Sequence, residues 1–548
     1  MRLINLFLKF LRKNFLYIFL LFGVVLVYFP SFKLNFSLVD DGLTIKTARI
    51  LGNSLQRFDS NAIAGVIFEP QHGRVRPAYW IIQSISSWLS FYNSTIFHVL
   101  RVTILLVTAY FLEKVLGKLG IGKLWRFMGL FIFLFNFQNL ENYYRLGPTE
   151  PFLALYYVLT ILTIFFFNNL KTKYSSFLLL FLFTLLGVFT KEGYFLIGVS
   201  LIPMLVFLSI RRKSKSKIYP RVIFTIGASF LSAIVVFWIK SKYPPIEAYA
   251  SQYKLSLNQI LSSLVSYKDN ILFHQPLLLY VAFAYLGLFL YELYKNKFRT
   301  IRFGDVLLIT FWFHAFLNFI VLLPWPYALN RYLILVNIDL VIIYAMTFAA
   351  LVERIYKLLP ERISRLGISR RVFKSMVVFG FLIPFFIRSI FPIADFQLWQ
   401  KVDSYISFTS VAALSKTIPS GETAYVNYKK GDSNLEIYLE TGWHLEELFN
   451  RNDIKFAYLT STILCSEIDR YIFDRTSDRF LDAKEFSDKF KYELINRDMI
   501  YYQPLNYEAV KKSFLFRQKR NDWNQNYLFE WAIYKQKHGT CIDEENIL

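Results

Sequence analysis

Two adjacent carboxylates, Asp40 and Asp41, follow the first long apolar segment of the chain, and a charged run comes after them: Glu69, Pro70, Gln71, His72, Gly73, Arg74, Val75, Arg76 and Pro77. An acid held at a membrane–water boundary is partly desolvated, which lifts its pKa toward the range useful to a general base. Arg74 and Arg76 flank one residue, so in an extended segment they point the same way and can fork onto phosphate oxygens. Further charge stands between later apolar segments: Arg145 and Glu150, Lys191 and Glu192, and Arg331 followed by Tyr332. A base beside several cations suits group transfer from a phosphate, because one takes the acceptor's proton and the others stabilise charge on the leaving oxygen.

Each of these residues also has a plain structural explanation. The aspartates can solvate a loop and cap the helix after it. Arg74 and Arg76 can snorkel to lipid head groups. Arg145 with Glu150, and Lys191 with Glu192, can form ion pairs, and His72 reads as an ordinary loop residue beside Glu69. Asp339, deep in an apolar segment, must face protein or water and is expected to pair structurally.

The elements that position these groups are membrane helices. Apolar residues make up 55% of 548 positions and aromatics 19%. Runs of spanning length alternate with basic clusters, and no alternating barrel pattern appears. Crossings are expected at 14–30, 95–112, 127–140, 152–168, 174–190, 194–210, 222–239, 276–294, 303–323, 332–350 and 375–392. Arg2, Lys9, Arg12 and Lys13 hold the N-terminus inside, and the later basic clusters all fall on the same side. The expected fold is therefore an α-helical polytopic membrane protein of about 11 transmembrane helices with a C-terminal soluble α/β domain. Residues 1–392 form the membrane module, with a first external loop over about 31–93, and residues 393–548 form an extracytoplasmic domain. The expected location is the plasma (inner) membrane, with a cytoplasmic N-terminus.

In that first loop, the stretch from Leu43 to Leu55 looks helical, and an aromatic amphipathic piece from Tyr79 to Tyr92 suits the interface. Lys240 to Gln275 reads as another external loop. In the C-terminal part, a helix ends near Lys416, Pro419-Ser420-Gly421 turns, and Thr423 to Tyr428 reads as a strand. Leu435 to Leu439 fits a strand or a short helix, and Ile454 to Leu459 a strand. Cys465 and Cys541 can pair in an oxidising compartment or stay free.

The net charge of +23 points away from nucleic acid. Residues 393–548 hold 20 basic against 24 acidic residues, a net −4, so the first 392 residues carry +27, largely on inner loops. Orientation and attraction to anionic membrane lipid explain that excess. A Gly-rich phosphate loop and a His-Glu-x-x-His metal pattern are both missing from the sequence, so a nucleotide donor lacks a visible cradle, and a divalent cation at Asp40 and Asp41 stays open.

The acid pair after the first helix, a Pro-led interfacial helix, Phe91-Tyr92-Asn93-Ser94, Arg101 early in the second span and Arg331-Tyr332-Leu333 before a late helix together resemble the GT-C class of integral-membrane glycosyltransferases. The nearest likeness is to the protein O-mannosyltransferase and aminoarabinose-transferase type, which use polyprenyl-phosphate sugars, over about residues 14–350. That group usually carries Asp-Glu where this chain has Asp40-Asp41, and Leu333 to Ile338 lacks the proline that often follows Arg-Tyr-Leu. The resemblance implies that Asp40 is the general base of an inverting displacement and that Asp41 orients the acceptor. It also implies no metal ligands and no cofactor, the likeness being to a metal-independent branch. From residue type and placement, Glu69, Arg74, Arg76, Arg145, Glu150, Lys191, Glu192, Arg331 and Tyr332 are the residues expected to bind substrate. The partners implied are a polyprenyl-phosphate-linked sugar and a glycan, lipid or protein acceptor. The rival expectations are a lipid-linked glycan polymerase or ligase, and a polytopic transporter or flippase.

Overall fold

In a computed structural model, the protein is described at residues 2–37, 41–68, 75–166, 173–210, 218–242, 256–274, 276–295, 302–324, 330–358, 369–426, 434–458, 471–476, 492–502 and 527–536. Helix α1 (Arg2–Tyr28) leads into three helices of the first loop: α2 (Asp41–Gln56), α3 (Ser60–Phe68) and α4 (Pro77–Leu89). The bundle continues with α5 (Ser94–Lys118), α6 (Lys123–Phe135), α7 (Phe137–Tyr144), α8 (Glu150–Phe166) and α9 (Lys173–Thr190). Then come α10 (Leu196–Ser200), α11 (Ile202–Ile210), α12 (Ile218–Lys242), α13 (Leu257–His274), α14 (Pro276–Lys295), α15 (Phe303–Leu322) and α16 (Ile334–Leu358).

Among the described residues, seven helices are long and apolar enough to cross a membrane, and three shorter apolar helices, Glu150–Phe165, Tyr174–Thr190 and Pro276–Glu292, accompany them. The chain is thus a multi-pass membrane protein. Its packing follows the rule for lipid, in which small and hydroxylated residues face other helices and large apolar ones face outward. Helix α12 buries Thr225, Ala228, Ser229, Ser232 and Ala233 while exposing Phe230, Leu231, Ile234, Phe237 and Trp238.

Two expectations about elements need correction. The expected crossing at 127–140 is not one helix: α6 ends at Asn136, whose extended backbone (ψ 116°) and side chain, accepting from the Gln138 amide, start the short α7. An asparagine whose own side chain bonds the local backbone competes with the helix ladder, and the apolar run hid that break. The expected loop from Lys240 to Gln275 contains helix α13, and the first loop contains α3 as well as the two helical stretches read from the sequence.

Helix α17 (Arg370–Thr417) runs unbroken past the expected boundary at 392–393. At 1.5 Å per residue it is about 72 Å long, more than twice the roughly 30 Å of a hydrocarbon core. Its early part packs in the bundle, whereas Ile406, Val411 and Leu414 belong to a second, separate core with Ala424, Leu445, Tyr471, Trp531 and Ile533. That core underlies a five-stranded sheet made of β1 (Thr423–Val426), β2 (Lys455–Tyr458), β3 (Tyr471–Thr476), β4 (Tyr492–Tyr502) and β5 (Tyr527–Gln536), in the order β2-β1-β3-β5-β4. β1 pairs parallel with β2 and β3, and β5 pairs antiparallel with β3 and β4. Parallel neighbours require a crossover, and helix α18 (Asn434–Phe449) provides it between β1 and β2.

The segment after α1 is fastened to α17. Ser404 Oγ accepts the Asn35 amide at 2.6 Å and donates to the Asn35 carbonyl at 3.1 Å, and Gln397 Nε2 donates to the Val27 carbonyl at 2.6 Å.

Close helix approach gives one stability test. A Cβ at Gly187 would stand 2.3 Å from the buried ring of Tyr194, whose hydroxyl lies 3.0 Å from Thr160 Oγ1 and so holds the ring in place. Gly187→Ala is expected to destabilise the protein by about 1–3 kcal/mol, read as a lower thermal midpoint in detergent; an unchanged midpoint refutes this packing.

Candidate functional site

Of the charged residues read from the sequence, the described Arg76, Arg145, Glu150, Lys191, Glu192 and Arg331 gather where short helices begin and end. The anchor is Arg101 on α5, which is wholly buried. Its guanidinium donates to the carbonyls of Pro148 at 2.9 Å and of Leu146, and to Gln83 Oε1 at 3.0 Å. Gln83 on α4 donates in turn to the carbonyls of Leu146 and Gly147 at 3.0 and 3.1 Å, and the Tyr79 hydroxyl donates to Gly147 at 2.9 Å. Three side chains thereby clamp the backbone of 146–148 and set the start of α8, where Glu150 stands. Arg101 also lies in the field of Asp41 and Glu150, which places the acid at the start of α2 and the acid at the start of α8 in one neighbourhood.

Around Glu150 the ion pairs differ from those the sequence proposed. Lys191 pairs with Glu150 at 2.6 Å, not with Glu192, and its ammonium sits 3.9 Å from the centre of the Tyr332 ring. Arg145 pairs with Glu141 at 3.0 Å, not with Glu150, and Arg331 reaches the same Glu141 at 3.7 Å. The Arg331 guanidinium lies 5.4 Å from the Tyr332 ring, and Glu150 feels both Lys191 and Arg331. Glu192 is shared by Arg76 at 3.7 Å and Lys240 at 2.8 Å. One chain of charge therefore links the first loop, the start of α8, the end of α9, the end of α12 and the start of α16.

Burial separates the two signs of charge. The Glu150 side chain is 5% exposed while that of Lys191 is 25% exposed, so the carboxylate is spent inside and the ammonium is presented outward. An ammonium carries three donors, and Glu150 takes one of them. The buried acid and the aromatic face together fix where that ammonium stands.

Asp41 is the first residue of α2 and is 3% exposed; its Oδ2 accepts the Ser37 amide at 2.8 Å. Asp40, Glu69, His72, Arg74, Cys465 and Cys541 lie outside the described residues. Asp339 behaves as expected of a buried acid: it bonds to His314 Nδ1 at 2.7 Å and to the Tyr157 hydroxyl, and Tyr157 stacks on His314 at 4.5 Å. Among the described residues no cluster of three or more His, Cys, Asp or Glu side chains is arranged to hold a metal ion.

Sequence reading passed over Glu141, Gln83, Lys240 and Glu440. Glu141 was findable, because it stands four residues before Arg145, the spacing of a helical ion pair. Glu440 carried no such signal. It lies on the crossover helix α18, yet its carboxylate accepts the Gly42 and Leu43 amides at the start of α2. Beside it on α18, half-burial holds the Glu447 carboxyl above the usual carboxylate range, with Arg49 pulling the other way. Burial likewise raises the Tyr92 phenol against the same arginine, which sits 5.1 Å from its ring.

Fold and site together describe a multi-pass membrane protein with a cluster of linked ion pairs where the first loop, α8, α9, α12 and α16 meet. No family model matches the chain, and no curated protein is similar to it in sequence. Among solved structures it is similar to ArnT from Cupriavidus metallidurans bound to undecaprenyl phosphate, at 10% identity and a TM-score of 0.47, covering 95% of this chain and 98% of that one. It is also similar to the Archaeoglobus fulgidus oligosaccharyltransferase in complex with Zn and sulfate, at 10% identity and a TM-score of 0.44, covering 82% of this chain and 67% of that one. Both are GT-C glycosyltransferases.

The clamp yields a prediction. Arg101→Leu leaves the Pro148 carbonyl and Gln83 Oε1 buried without their donor, while Leu146 keeps the Gln83 amide, at about 1–3 kcal/mol for each acceptor stranded. A thermal midpoint several degrees lower in detergent is expected, with Arg101→Lys failing to restore it because an ammonium cannot span the same fork; full rescue by lysine contradicts the clamp.

Proposed function

We propose that the protein is a membrane glycosyltransferase that moves a sugar from a polyprenyl-phosphate donor to an acceptor at the outer face of the plasma membrane. The observation that carries this reading is the placement of the Lys191 ammonium over the Tyr332 ring, paired with Glu150 and close to the Arg331 guanidinium that approaches the same ring. A lipid-borne phosphate is an anion, and a partly exposed ammonium beside a guanidinium is the contact it requires.

In the proposed displacement, an acceptor hydroxyl oxygen attacks the anomeric carbon of the donor sugar. The bond from that carbon to the phosphate oxygen breaks, and the electron pair leaves on polyprenyl phosphate. Lys191 and Arg331 stabilise the growing charge, which is the larger part of the work when the site excludes water. The acceptor's proton goes to the acid pair: the family resemblance gives the base role to Asp40, and Asp41 beside it orients the acceptor. Attack opposite the leaving group inverts the anomeric centre. Arg145 and Glu141 act on Arg331 as a brace, and Arg76 with Glu192 and Lys240 lines the approach from the first loop. Residues 393–548 supply the part that meets a glycan, lipid or protein acceptor. The chemistry asks for no cofactor.

Purified protein in lipid nanodiscs, given a labelled polyprenyl-phosphate sugar, tests the reading. Release of polyprenyl phosphate with label on a new acceptor supports transfer, whereas label crossing the bilayer with its phosphate bond intact supports transport instead. Lys191→Ala is expected to lower kcat/KM by about 10²–10³-fold, the scale of losing one preorganised donor. Asp41→Asn is expected to lower it as well without loss of donor binding. Wild-type rates in Lys191→Ala and Arg331→Ala together remove the proposed donor site.

A further inference from the structure

Glu440 reaches the first turn of α2 from a helix 398 residues further along the chain. Its Oε2 accepts the Gly42 amide at 2.5 Å and its Oε1 accepts the Leu43 amide at 3.1 Å, and the residue is 1% exposed. The approach depends on the absence of a side chain at Gly42: a Cβ there would stand 2.6 Å from both Glu440 Oε2 and His444 Nδ1. His444, equally buried, donates from Nδ1 to the Glu440 carbonyl at 2.8 Å and stands 3.7 Å from its carboxylate. Two ion pairs continue the contact outward, Lys46 with Glu446 at 2.7 Å and Arg49 with Glu447 at 3.0 Å.

The amides at the start of a helix have no partner within it, and an aspartate at or before the first turn commonly supplies one. Here a glutamate from another part of the chain takes that place for the Gly42 and Leu43 amides, while Asp41 Oδ2 accepts the Ser37 amide. The arrangement is also the stable one for Glu440, since two charge-assisted hydrogen bonds and the positive end of the helix dipole offset its burial. A peripheral docking peg would need neither full burial nor a glycine opposite it.

We infer that Glu440 is a positioning residue for Asp41: it pins the first turn of α2, which Asp41 opens, and this makes the crossover helix α18 a working part of the catalytic assembly. The inference rests on the glycosyl-transfer reading. It differs from a purely structural role in what it does to turnover. A peg contributes to stability alone, whereas a positioning contact sets how Asp41 meets the bound substrates, so its loss lowers kcat and leaves donor KM in place.

The test compares Glu440→Gln, Gly42→Ala and Glu446→Gln in nanodiscs, following transfer kinetics and hydrogen exchange of the Gly42 and Leu43 amides. Glu440→Gln loses the charge and one of the two acceptor oxygens. It is expected to lower kcat on the order of 10- to 100-fold, the scale of a misplaced catalytic group, with donor KM within about twofold and faster exchange at both amides. Gly42→Ala breaks the same contact from the other side and should act in the same direction, and it carries the test if Glu440→Gln is not recovered. The double variant should be no worse than the more severe single one, because both remove one contact. Glu446→Gln touches only a half-exposed outer pair and should keep kcat within about twofold. Wild-type kcat in Glu440→Gln despite faster exchange overturns the inference and leaves the transferase reading intact, as does a loss confined to KM. A wild-type protein that transfers no sugar overturns the transferase reading, and the inference with it.

Discussion

Lipid offers a buried charge no partner, so a protein built mostly of membrane helices must collect its charges where helices end and satisfy each of them from within. Arg101 shows the requirement at its strictest. Its two terminal nitrogens donate to the carbonyls of Leu146 and Pro148 and to Gln83 Oε1, and those bonds fix a backbone segment that no helix ladder holds. From there the order spreads outward: Glu150 is placed by the clamp, Lys191 by Glu150, and the ammonium of Lys191 rests on the Tyr332 ring. The site is preformed because none of its members can relax into solvent without stranding another.

The sharing of acids among cations gives this cluster its electrostatic character. Glu141 serves Arg145 and Arg331, and Glu192 serves Arg76 and Lys240. With fewer carboxylates than cations, the assembly keeps a positive bias toward its exposed side, which suits an anionic lipid-borne substrate and disfavours a second acid. The buried His314–Asp339–Tyr157 group deeper in the bundle is the contrasting case. It is closed on itself, with ring stacking and hydrogen bonds that spend its polar atoms inside the protein.

The second organising feature is mechanical. Helix α17 is too long for a bilayer, and it carries one continuous backbone from the membrane bundle into the core of the five-stranded sheet. Ser404 on that helix bonds both ways to Asn35, and Glu440 on the crossover helix accepts the first amides of α2, so residues on either side of the first-loop start meet the C-terminal part of the chain.

Much of the framework was legible in residue order, since hydrophobic length and the side of basic clusters depend on local composition. The helix at 41–56, the Pro-led helix at 77–89, the turn before β1 and the strands at 423–426 and 455–458 were readable for the same reason, as was the expectation that Asp339 pairs within the protein. The residue types fit for chemistry were also visible, because a carboxylate or a guanidinium keeps its chemistry wherever the chain carries it. Residue order could not supply the pairing. Lys191 chose Glu150 over its neighbour Glu192, Arg145 chose Glu141, and Glu440 crossed the chain to the start of α2, since each choice follows from which helix ends meet in space. The break at Asn136 escaped for the opposite reason: one side-chain hydrogen bond outweighed an apolar run. Local composition thus marked which segments are apolar and long enough to cross a membrane and which residues carry charge, while long-range packing settled which charge faces which, because electrostatic partners are chosen by distance and burial and not by separation along the chain.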